Sequence, residues 1–220
     1  MGLSKLESGE IGQVADFYAK ASQIFQKIDC ISGIAQYYRN MGVLLRKYKD
    51  DASALPYLKR ALDLAREIMF PLGESATLAD LSLVYLHLRE KSQAIEYGQN
   101  AVRIAQNIGA RPTQANAWLF LGHIFLETER IEDAESAYQQ SLNLRCELGQ
   151  KHLIAEPLTG LAEVAYLQGK MHEAKAYAGK VGEYLGNLCQ PEDAYTKLVG
   201  SDRPDHVLRI CSKILGTCMV

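Results

Sequence analysis

The chain has 220 residues, 48% apolar and 23% charged, with a formal net charge of −2 at pH 7. That is the composition of an ordinary folded soluble protein. The near balance of charge excludes the dense Lys/Arg surface on which non-specific nucleic-acid binding rests. No apolar run reaches the roughly 20 residues of a membrane span. Met1-Gly2-Leu3-Ser4-Lys5 has no apolar signal-peptide core, and Leu6 stands where a myristoylation site would need Ser or Thr. Five cysteines, Cys30, Cys146, Cys189, Cys211 and Cys218, include no C-x-x-C, which predicts reduced thiols and a cytoplasmic protein. The five histidines have no metal-ligand spacing, so neither metal nor cofactor is predicted.

In chain order, residues 1–30 read as the tail of a structural unit, with a second helix over Glu10 to Ile28 (Val14, Phe17, Ala21, Ile24, Phe25). Met1-Gly2 aligns with the middle of a first helix. This leads us to expect that about six residues of that helix are missing, and that the chain is a piece of a longer protein or a gene model that starts late. Residues 31–73 form the first whole hairpin. Tyr37, Tyr38, Met41 and Leu45 line its first helix, and its second carries Pro56, which can kink it. Asp51 and Lys91 stand at turn positions held by Ile131 and Met171 elsewhere, which predicts looser turns at those two places. Residues 74–113 form the next hairpin, with Gly98 at a helix contact where Tyr97 can fill the space and Gly109 as a C-terminal stop.

Residues 114–153 are the best-formed unit. Leu121, Gly122 and Phe125 share one helical face, Ala134 marks a close crossing, Tyr138 and Leu142 continue the second stripe, and Gly149 ends it. Residues 154–188 are the last unit, with Pro157 near a helix start and Gly179, Gly182 and Gly186 weakening the second helix. Beyond Cys189, Gln190–Asp193 and Gly200–Pro204 are loop-like. Val207, Ile210, Cys211, Ile214 and Leu215 then form one amphipathic helix, read as a cap on the end of the stack, followed by a frayed tail from Gly216.

The units share one register. Leu121, Gly122, Ala134 and Ser141 recur forty residues earlier as Leu81, Ser82, Ala94 and Ala101, and again as Met41, Gly42, Ala54 and Ala61. Forty residues later they recur as Leu161, Ala162, Ala174 and Val181. Side-chain size is kept with no insertion, which is the signature of an internal repeat.

Trp118-x-x-Leu121-Gly122-x-x-Phe125, followed by Ala134 and Tyr138, resembles the tetratricopeptide repeat (TPR) signature, and the resemblance covers residues 1–188. The common TPR is 34 residues long. The forty-residue interval resembles the long-period variant of bacterial signalling proteins and spindle-orientation adaptors, with the extra residues expected at the ends of the second helices (Leu64–Ile68, Ile104–Ile108). The resemblance implies an all-α, right-handed α-solenoid of antiparallel hairpins with a C-terminal capping helix. It also implies a concave groove lined by the first helices.

The groove positions are Gln36, Arg39, Val43 and Arg46; Ala76, Ala79, Leu83 and Leu86; Asn116, Leu119, His123 and Leu126; and Glu156, Thr159, Glu163 and Tyr166. They predict a groove basic at its N-terminal end, apolar in the middle and acidic at its C-terminal end. Leu83, Leu86, Leu119 and Leu126 are expected to form an exposed strip that takes a helix or peptide of a partner protein. Some TPR proteins clamp a C-terminal carboxylate with an Asn just after the Leu-Gly pair. Here that position is Val43, Leu83, His123 or Glu163, so the chain departs from the clamp.

The chain has no Gly-rich phosphate loop and no G-x-S-x-G. Glu156 and Glu163 lie seven apart on one helical face, a solvated face rather than an acid–base pair. The expectation is a non-catalytic protein-interaction module within a larger intracellular regulatory protein. The alternative is a sensor domain for a signalling peptide or small metabolite in a bacterial transcription regulator or signalling ATPase. Neither direct nucleic-acid nor membrane binding is expected.

Overall fold

The computed structural model describes residues 3–48, 50–185 and 204–216. Ten α-helices and no strands occur among them: α1 (Leu3–Lys27), α2 (Ile31–Lys47), α3 (Asp51–Glu67), α4 (Pro71–His87), α5 (Lys91–Asn107), α6 (Arg111–Glu127), α7 (Ile131–Glu147), α8 (Ala155–Leu167), α9 (Met171–Leu185) and α10 (Pro204–Leu215). A 3₁₀ turn, Lys151–Leu153, precedes α8. The fold is an all-α repeat of the solenoid class, and its helices group into two compact units, residues 1–113 and 114–220.

The forty-residue interval is a step of two equal helices. From α2 to α7 every helix has 17 residues, so the added length is not confined to the second helix of each hairpin. Among the described residues, seven helices end the same way, with a residue in the left-handed region at Asp29, Met69, Arg89, Gly109, Glu129, Gly149 and Gly169, spaced twenty or forty positions apart. The amide just after it bonds back to a carbonyl five residues earlier, as in Cys30 N to Phe25 O (2.8 Å) and Phe70 N to Ala65 O (2.8 Å). This closes the last helical turn and satisfies carbonyls that would otherwise lack partners.

The looser turns expected before Asp51 and Lys91 are not found. Asp50 N to Leu45 O (3.0 Å) and Glu90 N to Tyr85 O (2.9 Å) match Arg130 N to Phe125 O (2.8 Å) at the turn with Ile131. Polar side chains add support there. Asp50 caps the Ser53 amide at 3.1 Å, and Asp51 lies 3.0 Å from Nδ1 of His87.

Within the hairpins, small residues sit where the register puts them. Ala54, Ala94, Ala134 and Ala174 are fully buried. A Cβ at Gly42 would lie 2.5 Å from Leu58, and one at Gly122 would lie 2.6 Å from the Tyr138 ring. Contact between the helices is therefore set by a large side chain on one facing a glycine on the other. In α4 and α5 the sizes are exchanged: Ser82 takes the first-helix position and Gly98 the second. Tyr97 stacks on Tyr85 with ring centroids 5.0 Å apart, as expected beside that gap. Helix α3 runs through Pro56 without a break.

The second unit ends in a core of Leu158, Ala162, Ala174, Ala178 and Val181, closed by Val207, Leu208, Cys211 and Ile214 of α10. The expected capping helix is present and also buries Leu208, which the apolar stripe omitted. Pro157 is the third residue of α8, where it lacks no helical bond, and α9 is helical through Gly179 and Gly182. The expected loop Gln190–Asp193, Gly186 and the last four residues lie outside the described residues.

One expectation at the N-terminus is corrected. There is no separate stub before a helix at Glu10, because Leu3 to Lys27 form one helix.

Candidate partner-binding site

The inner positions of the first helices are more closed than their sequence suggests. Leu83, Leu86 and Leu119 are 3%, 8% and 3% exposed, and only Leu126 is half-buried. The exposed leucine strip is therefore not formed, and these side chains belong to the core. Helices α4 and α6 are apolar on nearly every face, and helices of that kind are buried all round.

The expected gradient from basic to acidic is also altered, because the charges are met within each unit. In the first unit, Nε of Arg39 lies 2.7 Å from Asp80. Arg46 is buried, Val43 is half-buried, and Gln36 is exposed and donates to Asn40 at 3.0 Å. In the second unit, Nε2 of His123 lies 3.6 Å from Glu156, both groups deeply buried. The His123 ring also lies 5.6 Å from that of Tyr138.

Asn116 is exposed and accepts a hydrogen bond from Arg145 at 2.9 Å. Glu163 lies 2.7 Å from Nε2 of His206. Tyr166 carries Nζ of Lys213 over its ring, 4.8 Å from the centroid. Glu156 and Glu163 thus have different partners and do not form a carboxylate pair. Thr159 is buried, bonded to the Ala155 carbonyl at 2.9 Å, while Ala79 is buried and Ala76 half-buried.

Sequence reasoning missed Asp80, Arg145 and His206 as parts of this lining. Asp80 had a readable signal, as a single acid inside the apolar run Leu78–Leu86. Arg145 and His206 had none, because each comes from another helix and meets its partner only in the folded chain. No described helix is long and apolar enough to cross a membrane.

A stack of hairpins with charged groups fixed along its first helices defines a helical-repeat scaffold for protein interaction. The sequence profile of the tetratricopeptide repeat family matches residues 33–107, 73–147 and 113–181, and the chain belongs to that family. No curated protein matches it in sequence. Among solved structures, BtubC from P. vanneervenii is similar over 98% of this chain and 89% of its own (16% identity, TM-score 0.68). Aspartyl phosphate phosphatase F from Bacillus subtilis is similar over 96% of this chain (16% identity, TM-score 0.71). The STAND protein PH0952 from Pyrococcus horikoshii, with its tetratricopeptide repeat sensor, is also similar over 96% (16% identity, TM-score 0.65). The chain spans 58% of the phosphatase and 31% of the STAND protein. At these identities the likeness is one of fold.

Proposed function

We propose that the chain is a non-catalytic module that takes a peptide or helix of a partner protein along the inner positions of its first helices. One observation carries this reading. Arg46, Asp80, His123, Arg145 and Glu156 are each less than a tenth exposed, and they line or adjoin those positions. Burying a charge is costly, and a purely structural repeat is better served by apolar residues there. Buried titratable groups gather at functional sites.

In the first unit Gln36 is accessible and Arg39, Val43 and Ala76 are half-open; in the second, Asn116 is accessible and Leu126, Glu163 and Tyr166 are half-open. They favour a partner held by hydrogen bonds with a few apolar anchors, rather than one with a row of leucines. Likeness to a tetratricopeptide repeat sensor supports the second reading, a domain that takes a signalling peptide or small metabolite.

The test is selection from a random-peptide display library, followed by anisotropy titration of the peptides obtained. Asn116→Ala and Tyr166→Ala are each expected to weaken binding about tenfold, roughly 1.4 kcal/mol, while Gln99→Ala and Gln140→Ala, on exposed second-helix positions, leave it unchanged. Peptides indifferent to both inner-face substitutions would refute the assignment.

A further inference from the structure

Asp51 opens α3 and His87 ends α4, and the two side chains meet at 3.0 Å. Eighty residues later the register places Ile131 at the start of α7 and Leu167 at the end of α8. Neither side chain can make that polar bond. Ile131 is half-buried, and Leu167 is left 57% exposed. The corner is here a cleft of about 510 Å³, lined by these two residues, by Gln168, and by Glu129, Arg130, Glu132 and Asp133 of the α6–α7 turn and the first turn of α7. That volume falls within the roughly 300–1,000 Å³ of pockets that take a small ligand.

The walls of the cleft are held in place. The Gln168 amide donates to Glu135 at 3.0 Å, which ties the end of α8 to α7. The Arg130 guanidinium lies over the Phe125 ring, 4.5 Å from its centroid, and its Nε donates to Asp133 at 2.7 Å. Arg130 is the cation among the described lining residues, and it is engaged by Asp133. Glu129 and Glu132 are both exposed and have no ion-pair partner among the described residues. The N-terminus of α7 offsets them only in part, because a helix end carries about half a positive charge and each carboxylate carries a whole negative one. The cleft therefore has an apolar floor and an acidic rim.

We propose that this cleft is a second binding site, and that its occupant is a basic segment of a partner peptide. An apolar side chain of that segment rests on Ile131 and Leu167, where it leaves water. An adjacent Arg or Lys sits at the rim beside Glu129 and Glu132, where its charge is complementary. The site does not depend on the inner-face reading, since none of its residues is an inner position of a first helix.

The experiment uses the full chain labelled with nitrogen-15, titrated with the peptide acetyl-Gly-Leu-Arg-Gly-amide and followed by amide correlation spectra. The cross-peaks of Ile131, Glu132 and Gln168 are expected to shift and to saturate. Leu167→Ser removes part of the floor, and Glu129→Gln with Glu132→Gln neutralises the rim. Each is expected to weaken binding about tenfold, and the second also to remove most of the salt dependence. Because these side chains are exposed, the Tm should not change. The same peptide with Glu in place of Arg should not saturate. Absence of saturable shifts, shifts confined to the inner-face residues Asn116 and Tyr166, or affinities indifferent to both sets of substitutions would overturn the proposal. So would equal binding of acetyl-Gly-Gly-Arg-Gly-amide, since the floor would then be unused and the site would take a cation only.

Discussion

Ser75 and Ser141 make one interhelical hydrogen bond from opposite sides of their hairpins. Ser75 of α4 donates to the Ala101 carbonyl at 2.8 Å, and Ser141 of α7 donates to the Ala115 carbonyl at 2.8 Å. Ala115 lies forty residues beyond Ser75, and Ser141 forty beyond Ala101. The hydroxyl has changed helices and the bond has kept its place. The two differ in surroundings, because Ser141 also accepts from Nε of Arg145 at 3.2 Å, whose Nη2 holds Asn116. Ser75→Ala removes one buried bond and is expected to cost about 1 kcal/mol, whereas Ser141→Ala also strips an acceptor from a buried guanidinium and should cost about 2–3 kcal/mol. Urea denaturation of the two variants tests the order, and equal losses would contradict the network.

Tyr138 is wedged between two glycines. A Cβ at Gly160 would lie 2.5 Å from its ring, much as one at Gly122 would. Gly160→Ala is expected to destabilise by about 1–3 kcal/mol through overpacking, and Ala134→Leu, at a fully buried crossing, by a similar amount. Calorimetry checks both, and an unchanged Tm for Gly160→Ala would mean that the ring does not sit there.

Met69 and Glu129 hold left-handed backbone, φ 51° and 61°, where the same turns elsewhere use Gly109 and Gly149. A non-glycine residue pays about 1–2 kcal/mol for this conformation, partly offset by the greater freedom glycine loses on folding. Met69 is 87% exposed and gives up no packing. Met69→Gly and Glu129→Gly should each stabilise by about 0.5–1 kcal/mol, and Gly149→Ala should do the reverse. Chemical denaturation midpoints decide it.

The thiols divide by environment. Cys30 precedes α2, and the Ser32 hydroxyl and then the Gly33 amide lower its pKa. Cys211 is fully buried, and burial raises its pKa to about 11. Iodoacetamide should label Cys30 and the exposed Cys146 in the native protein, with Cys211 reacting only on unfolding, as read by peptide mass mapping.

The sign of the Cys211 effect follows from its neutral form being favoured in the fold. Its contribution is complete below the ordinary thiol pKa of about 8.5–9, declines as pH rises from there, and is lost by about pH 11, roughly 2–3 kcal/mol in all. Cys211→Ala should remove that part of the alkaline loss of stability.

Leu83→Glu and Leu119→Glu place a carboxylate at buried positions and are expected to unfold the chain, with loss of helical circular dichroism. Retained helicity would return those leucines to an accessible face.

The spacing of Leu, Gly and Ala was enough to read the hairpins, the forty-residue register, the buried alanines and the capping helix, because each follows from which residues share a helical face. Gly109 and Gly149 announced their turns, since glycine is the residue that enters left-handed backbone freely. Met69, Arg89 and Glu129 take the same conformation without a local signal, imposed by the packing of the helices on either side. The inner face was misread for a related reason. A helical wheel places Leu83 and Leu119 opposite the packed stripe, but it does not say how closely other helices approach that side. The pairing of Arg39 with Asp80, Asn116 with Arg145 and Glu163 with His206 was likewise decided in three dimensions, by groups 41, 29 and 43 residues apart. Sequence alone determined the repeat, because helix faces are local. Tertiary structure alone decided which faces remain open, because burial and charge pairing depend on what distant segments bring against them.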